Sequence, residues 1–187
     1  MSTEDNILYV RTLGGFSMTY NGTTVVDGMG GKSQFSLLMQ VILHNCRHGA
    51  SKDLIIQTLF EDRDVEDVSH SVRNLIYSAR KKLLGFGLPN VQYISQKNNI
   101  YYWTEEVEVA EDCVAFEDAV LEAMEEKDKK TKLEKLIEAE HLYTGRFLPN
   151  MDRIVWITVE SKRIRNVFHE CVNTACRLAT ELSQYKS

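Results

Sequence analysis

Between residues 68 and 104 the chain carries Arg73, Arg80, Lys81, Lys82 and Lys97 and no Asp or Glu. Binding a polyanion requires a stretch of one sign like this, because each cation that meets a phosphate releases condensed counterions. The residue types are as informative as the charge. Arg forks onto two acceptors of guanine and Asn pairs donor and acceptor with adenine, so Arg73 and Asn74 are equipped to read base edges. His70, Tyr77 and Lys81 share roughly one helical face with them, while Arg80, Lys81 and Lys82 suit backbone phosphates. Lys97, in a turn between two apolar runs, suits a minor-groove or backbone contact. Lys32 and Ser33 open an apolar-periodic segment, where helix N–H groups attract a phosphate. The plain alternative for each of these residues is a solvated surface.

Other chemistries find less support. Val25-Val-Asp-Gly-Met-Gly-Gly-Lys-Ser33 imitates a phosphate-binding P-loop, but Val26 stands where that pattern needs its first Gly. No downstream apolar strand ends in an Asp suited to magnesium. His44 and His48, with Cys46 between them, have the spacing of a metal pair, yet no further ligand follows at a suitable distance. They read as histidines at a helix C-terminus, and His169 with Cys171 is a weaker case still. No Ser/His/Asp or Cys/His set stands in a nucleophile context, so neither catalysis, metal nor cofactor is expected.

The 187 residues suffice for two small domains, and 43% apolar with 26% charged residues is an ordinary globular composition. The net charge of −5 hides an asymmetry. Residues 1–104 hold 10 Lys/Arg against 9 Asp/Glu, or +1, and residues 105–187 hold 12 against 18, or −6. No apolar run is long enough for a bilayer, and Met-Ser-Thr-Glu-Asp lacks the features of a signal peptide, so a cytoplasmic protein without a membrane partner is expected. Cys46, Cys113, Cys171 and Cys176 lack pairing or zinc-knuckle spacing and read as buried free thiols.

The elements that must position these residues follow from periodicity. Ile7–Leu13 and Phe16–Tyr20 flank Gly14-Gly15 as a hairpin, and Asn21-Gly22 turns the chain into Thr23–Val26, so an antiparallel sheet comes first. Apolar spacing predicts a helix from Lys32 to Cys46, a second capped by Ser51, and a third capped by Asp64 that runs to Leu84. The third has Val65, Val68, Val72, Ile76, Ala79 and Leu83 on its inner face. Val91–Ile94 and Ile100–Trp103 then flank Ser95–Asn99 as a terminal hairpin. In that order these are the parts of a winged helix-turn-helix. The acid-rich run 105–111 reads as a linker. Helices are expected over about Asp112–Glu126 and Leu133–Tyr143, then one long helix over Asp152–Gln184 with a stripe that includes Val155, Trp156, Val159, Phe168, Cys171 and Leu178.

Ser51-Lys-Asp-Leu-Ile, the run Ser71-Val-Arg-Asn-Leu-Ile-Tyr-Ser-Ala-Arg-Lys-Lys-Leu83 and the hairpin end Asn99-Ile-Tyr-Tyr-Trp103 resemble OmpR/PhoB-type winged helices. With Asp112-x-x-x-Phe116-Glu117, Ala139-x-x-Leu142-Tyr143-x-Gly145-x-Phe147-Leu148-Pro149, Trp156 and Arg163, nearly the whole chain resembles activators of the streptomycete antibiotic regulatory protein type. The resemblance implies an α+β then all-α architecture. A winged-helix DNA-binding domain spans residues 1–104, and a tetratricopeptide-like bacterial transcriptional activator domain spans residues 112–187. It also implies binding of double-stranded promoter DNA, often on direct repeats, and recruitment of RNA polymerase. Two departures matter. The family hairpin carries Gly-Gly-Tyr before its last strand where this chain has Asn98-Asn99-Ile100, which implies a differently shaped tip. The family's helical domain is also typically longer, leaving open that this is a piece of a longer chain whose last helix is covered by a partner or a homodimer mate. The rival reading is a protein-interaction scaffold that binds no DNA, for which the basic stretch has no use.

Overall fold

The computed structural model describes residues 6–26, 32–60 and 68–184. The expected Asp64 cap with Val65, and Asp27–Gly31 of the P-loop-like segment, lie outside the described residues. The chain forms two units, one comprising Met1–Val10 and Phe16–Ala110 and the other Arg11–Gly15 and Glu111–Ser187.

In the first unit, β1 (Ile7–Arg11), β2 (Ser17–Tyr20) and β3 (Thr23–Val26) alternate buried and more exposed residues over much of their length. Asn21 and Gly22 both have positive φ, 47° and 74°, the geometry a two-residue hairpin turn demands, and β2 pairs antiparallel with β3. The sheet has a fourth strand that the sequence reading did not foresee. Its order is β3-β2-β1-β7, where β7 is Glu108–Glu111. The acid-rich run read as a linker therefore contains an edge strand. The Val107 side chain is buried, its carbonyl accepts the Trp103 indole N–H at 2.9 Å, and the Glu108 N–H donates to the Asn6 carbonyl at 3.1 Å. A charged residue such as the exposed Glu108 suits an edge strand, and counting charge alone hides the buried Glu111 at its end.

Three helices and a second sheet complete this unit. α1 (Gln34–His44) is shorter than expected at both ends and begins at Ser33, whose hydroxyl accepts the Ser36 N–H at 3.1 Å. α2 (Lys52–Phe60) starts where Ser51 Oγ accepts the Leu54 N–H at 3.1 Å. α3 (Val68–Gly85) buries Val72, Ala79 and Leu83, while Val68 and Ile76 are half-buried. α1 packs on α2, α3 and the strand β6. β4 (Ala50–Ser51), β5 (Ile94–Lys97) and β6 (Ile100–Trp103) form a sheet of order β4-β6-β5. The expected first strand of this hairpin begins later than predicted, so Ser95–Lys97 is strand and the turn is Asn98-Asn99 alone, at φ 52° and 60°.

Gly49 fixes how α1 hands the chain to β4. Its φ is +81°, and an added Cβ would lie 2.5 Å from Ile100 Cγ2 and 2.7 Å from Tyr102 Cε1. Gly49→Ala is therefore expected to cost about 2 kcal/mol through left-handed strain plus overpacking against β6, measured as a lowered urea midpoint.

In the second unit, α4 (Asp112–Glu125), α5 (Lys129–Leu142) and α6 (Val155–Gln184) pack in sequence, α4 on α5 and α5 on α6. The Asp112 carboxylate accepts the N–H groups of Thr12 at 2.7 Å, Leu13 at 3.1 Å and Cys113 at 2.8 Å. Burial pushes its carboxyl pKa up, and these bonds pull it back. α5 starts earlier than expected because Asp128 caps it, accepting the Thr131 N–H at 2.8 Å. α6 buries Ile157, Ser161, Ile164, Cys171 and Leu178, whereas the expected core residues Val155 and Val159 are 64% and 62% exposed. The expected stripe holds at Cys171 and Leu178, but in the first half of α6 the inward positions are Ile157, Ser161 and Ile164, and polar Ser161 carries less weight in an apolar pattern than a valine. Of the thiols expected to be buried, Cys113 and Cys171 are buried, but Cys46 is half-buried and Cys176 is exposed. Among the described residues no helix is long and apolar enough to cross a membrane.

Candidate nucleic-acid interface

α3 is amphipathic, so burial of Val72, Ala79 and Leu83 fixes what its other faces present. His70, Asn74, Tyr77 and Lys81 form one row by helical spacing, and all four are exposed. The Lys81 ammonium lies 4.7 Å from the centre of the Tyr77 ring, a cation–π contact that holds both side chains on the row. Tyr77 itself is 60% exposed, so its ring is open to a partner.

The other basic residues of α3 divide between its two flanks. Arg73 and Arg80 face the hairpin and, with Tyr77, line one side of a groove of 220 Å³ whose other side is Gln92, Tyr93 and Ile94. Arg80 Nη2 donates to Asn90 Oδ1 at 3.0 Å, and its charge opposes the upward push that burial gives the Tyr93 phenol. Arg73 acts in the same sense on Tyr101 of β6, where burial is again the larger effect. Lys82 takes the opposite flank, 4.8 Å from the centre of the Phe35 ring, beside the start of α1. It borders the same cavity as Ser33, Ser36 and Phe86. The structure thus brings Ser33 and Lys82 together, with Lys32 exposed next to Ser33. Ser33 already spends its hydroxyl on capping α1. Lys97 ends β5 and is exposed, opposite Ile100 across the hairpin.

One positioning residue has no signature in the sequence. Lys52 Nζ donates to Ser69 Oγ at 2.8 Å, and the Lys52 N–H donates to the Asn99 carbonyl at 2.8 Å. It ties the start of α2 to the start of α3 and to the turn of the β5–β6 hairpin. Asn90 and Gln92 are further groove residues that sequence reasoning missed, since nothing local distinguishes them from solvated polar residues. Among the described residues no group of three or more His, Cys, Asp or Glu is placed to hold a metal ion.

The sequence matches no protein-family model and no curated protein. In structure it is similar to EmbR of Mycobacterium tuberculosis, solved in complex with a low-affinity phosphopeptide, at a TM-score of 0.73 and 16% identity. The likeness covers 94% of this chain and 46% of that one, so this chain spans about half the length of that protein. At this identity the shared feature is the fold alone.

Proposed function

We propose that this chain is a sequence-specific DNA-binding transcription regulator, an activator in the bacterial cytoplasm with no catalytic activity of its own. The first unit acts as a winged helix-turn-helix, with α3 entering the major groove and the β5–β6 hairpin serving as wing. The second unit acts as a tetratricopeptide-like activator domain that contacts RNA polymerase or a second copy of the chain. The observation that carries this reading is the exposed row His70, Asn74, Tyr77 and Lys81, flanked by Arg73 and Arg80 on the side of the hairpin. The residue types suit base edges at Arg73 and Asn74 and phosphates at Arg80 and Lys81. Lys97 extends the contact to the wing, and Lys32, Ser33 and Lys82 extend it along the backbone on the opposite flank.

Selection of bound duplexes from a random pool gives the operator, and a mobility-shift titration then tests the residue assignment. Arg73→Ala is expected to weaken binding to the selected duplex by about tenfold to a hundredfold, the worth of one bidentate base contact. Failure to select any sequence, or unchanged affinity in Arg73→Ala, overturns the reading in favour of a scaffold that binds protein only.

A further inference from the structure

The groove between α3 and β5 has a chemistry that duplex DNA does not need. Its floor is apolar and closed, made by Ala79, Leu83 and Ile94, which are 1%, 0% and 6% exposed. Its rim is cationic and polar, made by Arg73, Arg80 and Gln92, all exposed. Among the described residues Arg73 makes no hydrogen bond or ion pair, and Arg80 commits one nitrogen to Asn90, which aims the guanidinium and leaves its other donors unused. The 220 Å³ of space equals about seven waters at their liquid volume, enough for a single ring bearing an acid group. A sugar–phosphate backbone meets the cations but has nothing to fill a closed apolar floor. A ring with a carboxylate meets both, and the guanidinium fork matches a carboxylate in geometry.

We propose that this groove is a binding site for a small ring-bearing carboxylate, and that the bound anion opposes DNA binding by engaging Arg73. The antagonism rests on the DNA-binding reading above; the site itself does not. It gives the regulator a way to sense a small metabolite acid at the DNA-binding surface itself, because one guanidinium serves either ligand. A ligand that binds only the DNA-free protein must weaken DNA binding in proportion to its occupancy.

Benzoate is the probe, with benzamide as the uncharged ring and acetate as the ringless anion. Trp103 reports occupancy, since its ring stacks on Tyr93 of the groove at 5.7 Å, and Trp156→Phe removes the other tryptophan of the 187 residues. Benzoate is expected to change Trp103 fluorescence saturably at high micromolar to millimolar concentration, roughly the range open to so small a ligand. Benzamide and acetate are expected to bind at least about tenfold more weakly, as is benzoate to Arg80→Gln, because each lacks half of the match. Gln92→Phe fills the slot and is expected to abolish the benzoate response. Saturating benzoate is expected to raise the apparent Kd for the selected duplex beyond the effect of acetate at equal ionic strength. No saturation by about 10 mM, or equal binding of benzamide, overturns the site. Unchanged DNA affinity at saturating benzoate overturns the antagonism. A protein that binds benzoate but no duplex keeps the site and removes the regulator reading, so the two failures are distinguishable.

Discussion

Affinity for duplex DNA is expected to fall by about two to three orders of magnitude as salt rises from about 50 to about 200 mM. Five exposed cations on both flanks of α3 and on the hairpin bear on that figure: Arg73, Arg80, Lys81, Lys82 and Lys97. Each neutralised phosphate adds about −0.9 to the slope of log K against log salt, so the four cations other than Arg73, which is assigned to a base, give a slope of about −3.6. The net charge of −5 does not weaken the argument, because screening leaves only charges within about a Debye length of the DNA to act strongly. Two of the five are held in place before DNA arrives, Lys81 by Tyr77 and Lys82 by Phe35, which lowers the entropy lost when they meet phosphates. Mobility shifts at several salt concentrations measure the slope, and a flat response contradicts the interface. The slope also sorts residues by role. Lys81→Ala is expected to lower its magnitude by about one and to weaken all sequences alike. Arg73→Ala is expected to relax sequence preference at one position while altering the slope less, because a base contact displaces fewer counterions than a phosphate contact.

Local chemistry was legible in the sequence wherever a residue acts on its own neighbours. Asn98 and Asn99 announce a turn with positive φ, Ser51 announces the start of α2, and Gly49 announces the end of α1, because each preference is written within a few residues. The exposed row of α3 was legible for the same reason, since apolar spacing places His70, Asn74, Tyr77 and Lys81 opposite Val72 and Ala79. What escaped depends on partners distant in sequence. β7 exists because residues 108–111 meet β1 about a hundred residues earlier, and their acidity argues for solvent rather than for a sheet. Lys52 matters only through Ser69 and Asn99, and an isolated Lys at a helix start says nothing of either. In the first half of α6 the inward stripe was misplaced, because two valines outweigh a serine in an apolar pattern whereas packing against α5 selects by position, but Cys171 and Leu178 further along were placed inward. The groove has the same origin: Arg73 and Arg80 advertise charge, but only the fold supplies the apolar floor between them and Gln92.

In the second unit, Phe116→Ala is expected to cost about 3–5 kcal/mol, the range for truncating a fully buried Phe. The Phe116 side chain is 0% exposed, and its ring begins an aromatic column. Phe116 lies 5.4 Å from Tyr143, and Tyr143 stacks on Phe168 at 4.2 Å. The column joins α4, the end of α5 and the middle of α6, so the three helices share one set of ring contacts. Collapse around the missing ring is resisted from one turn away, where the Asp112 carboxylate pins the start of α4 to the N–H groups of Thr12 and Leu13. A second anchor is the very next residue, Glu117, which accepts from Arg163 Nη2 at 2.8 Å while Arg163 Nε donates to Glu160 at 3.0 Å. With both neighbours of the cavity held, most of its volume should persist, which puts the cost at the upper end of the range. Urea unfolding gives the value, and near-UV circular dichroism reports whether Tyr143 and Phe168 lose their fixed packing. Leu121→Ala on the same helix is the control: that side chain is 61% exposed, and its loss is expected to cost less than about 0.5 kcal/mol. A Phe116→Ala cost as small as the control's would mean that the helices are held by their ion pairs and caps rather than by the aromatic column.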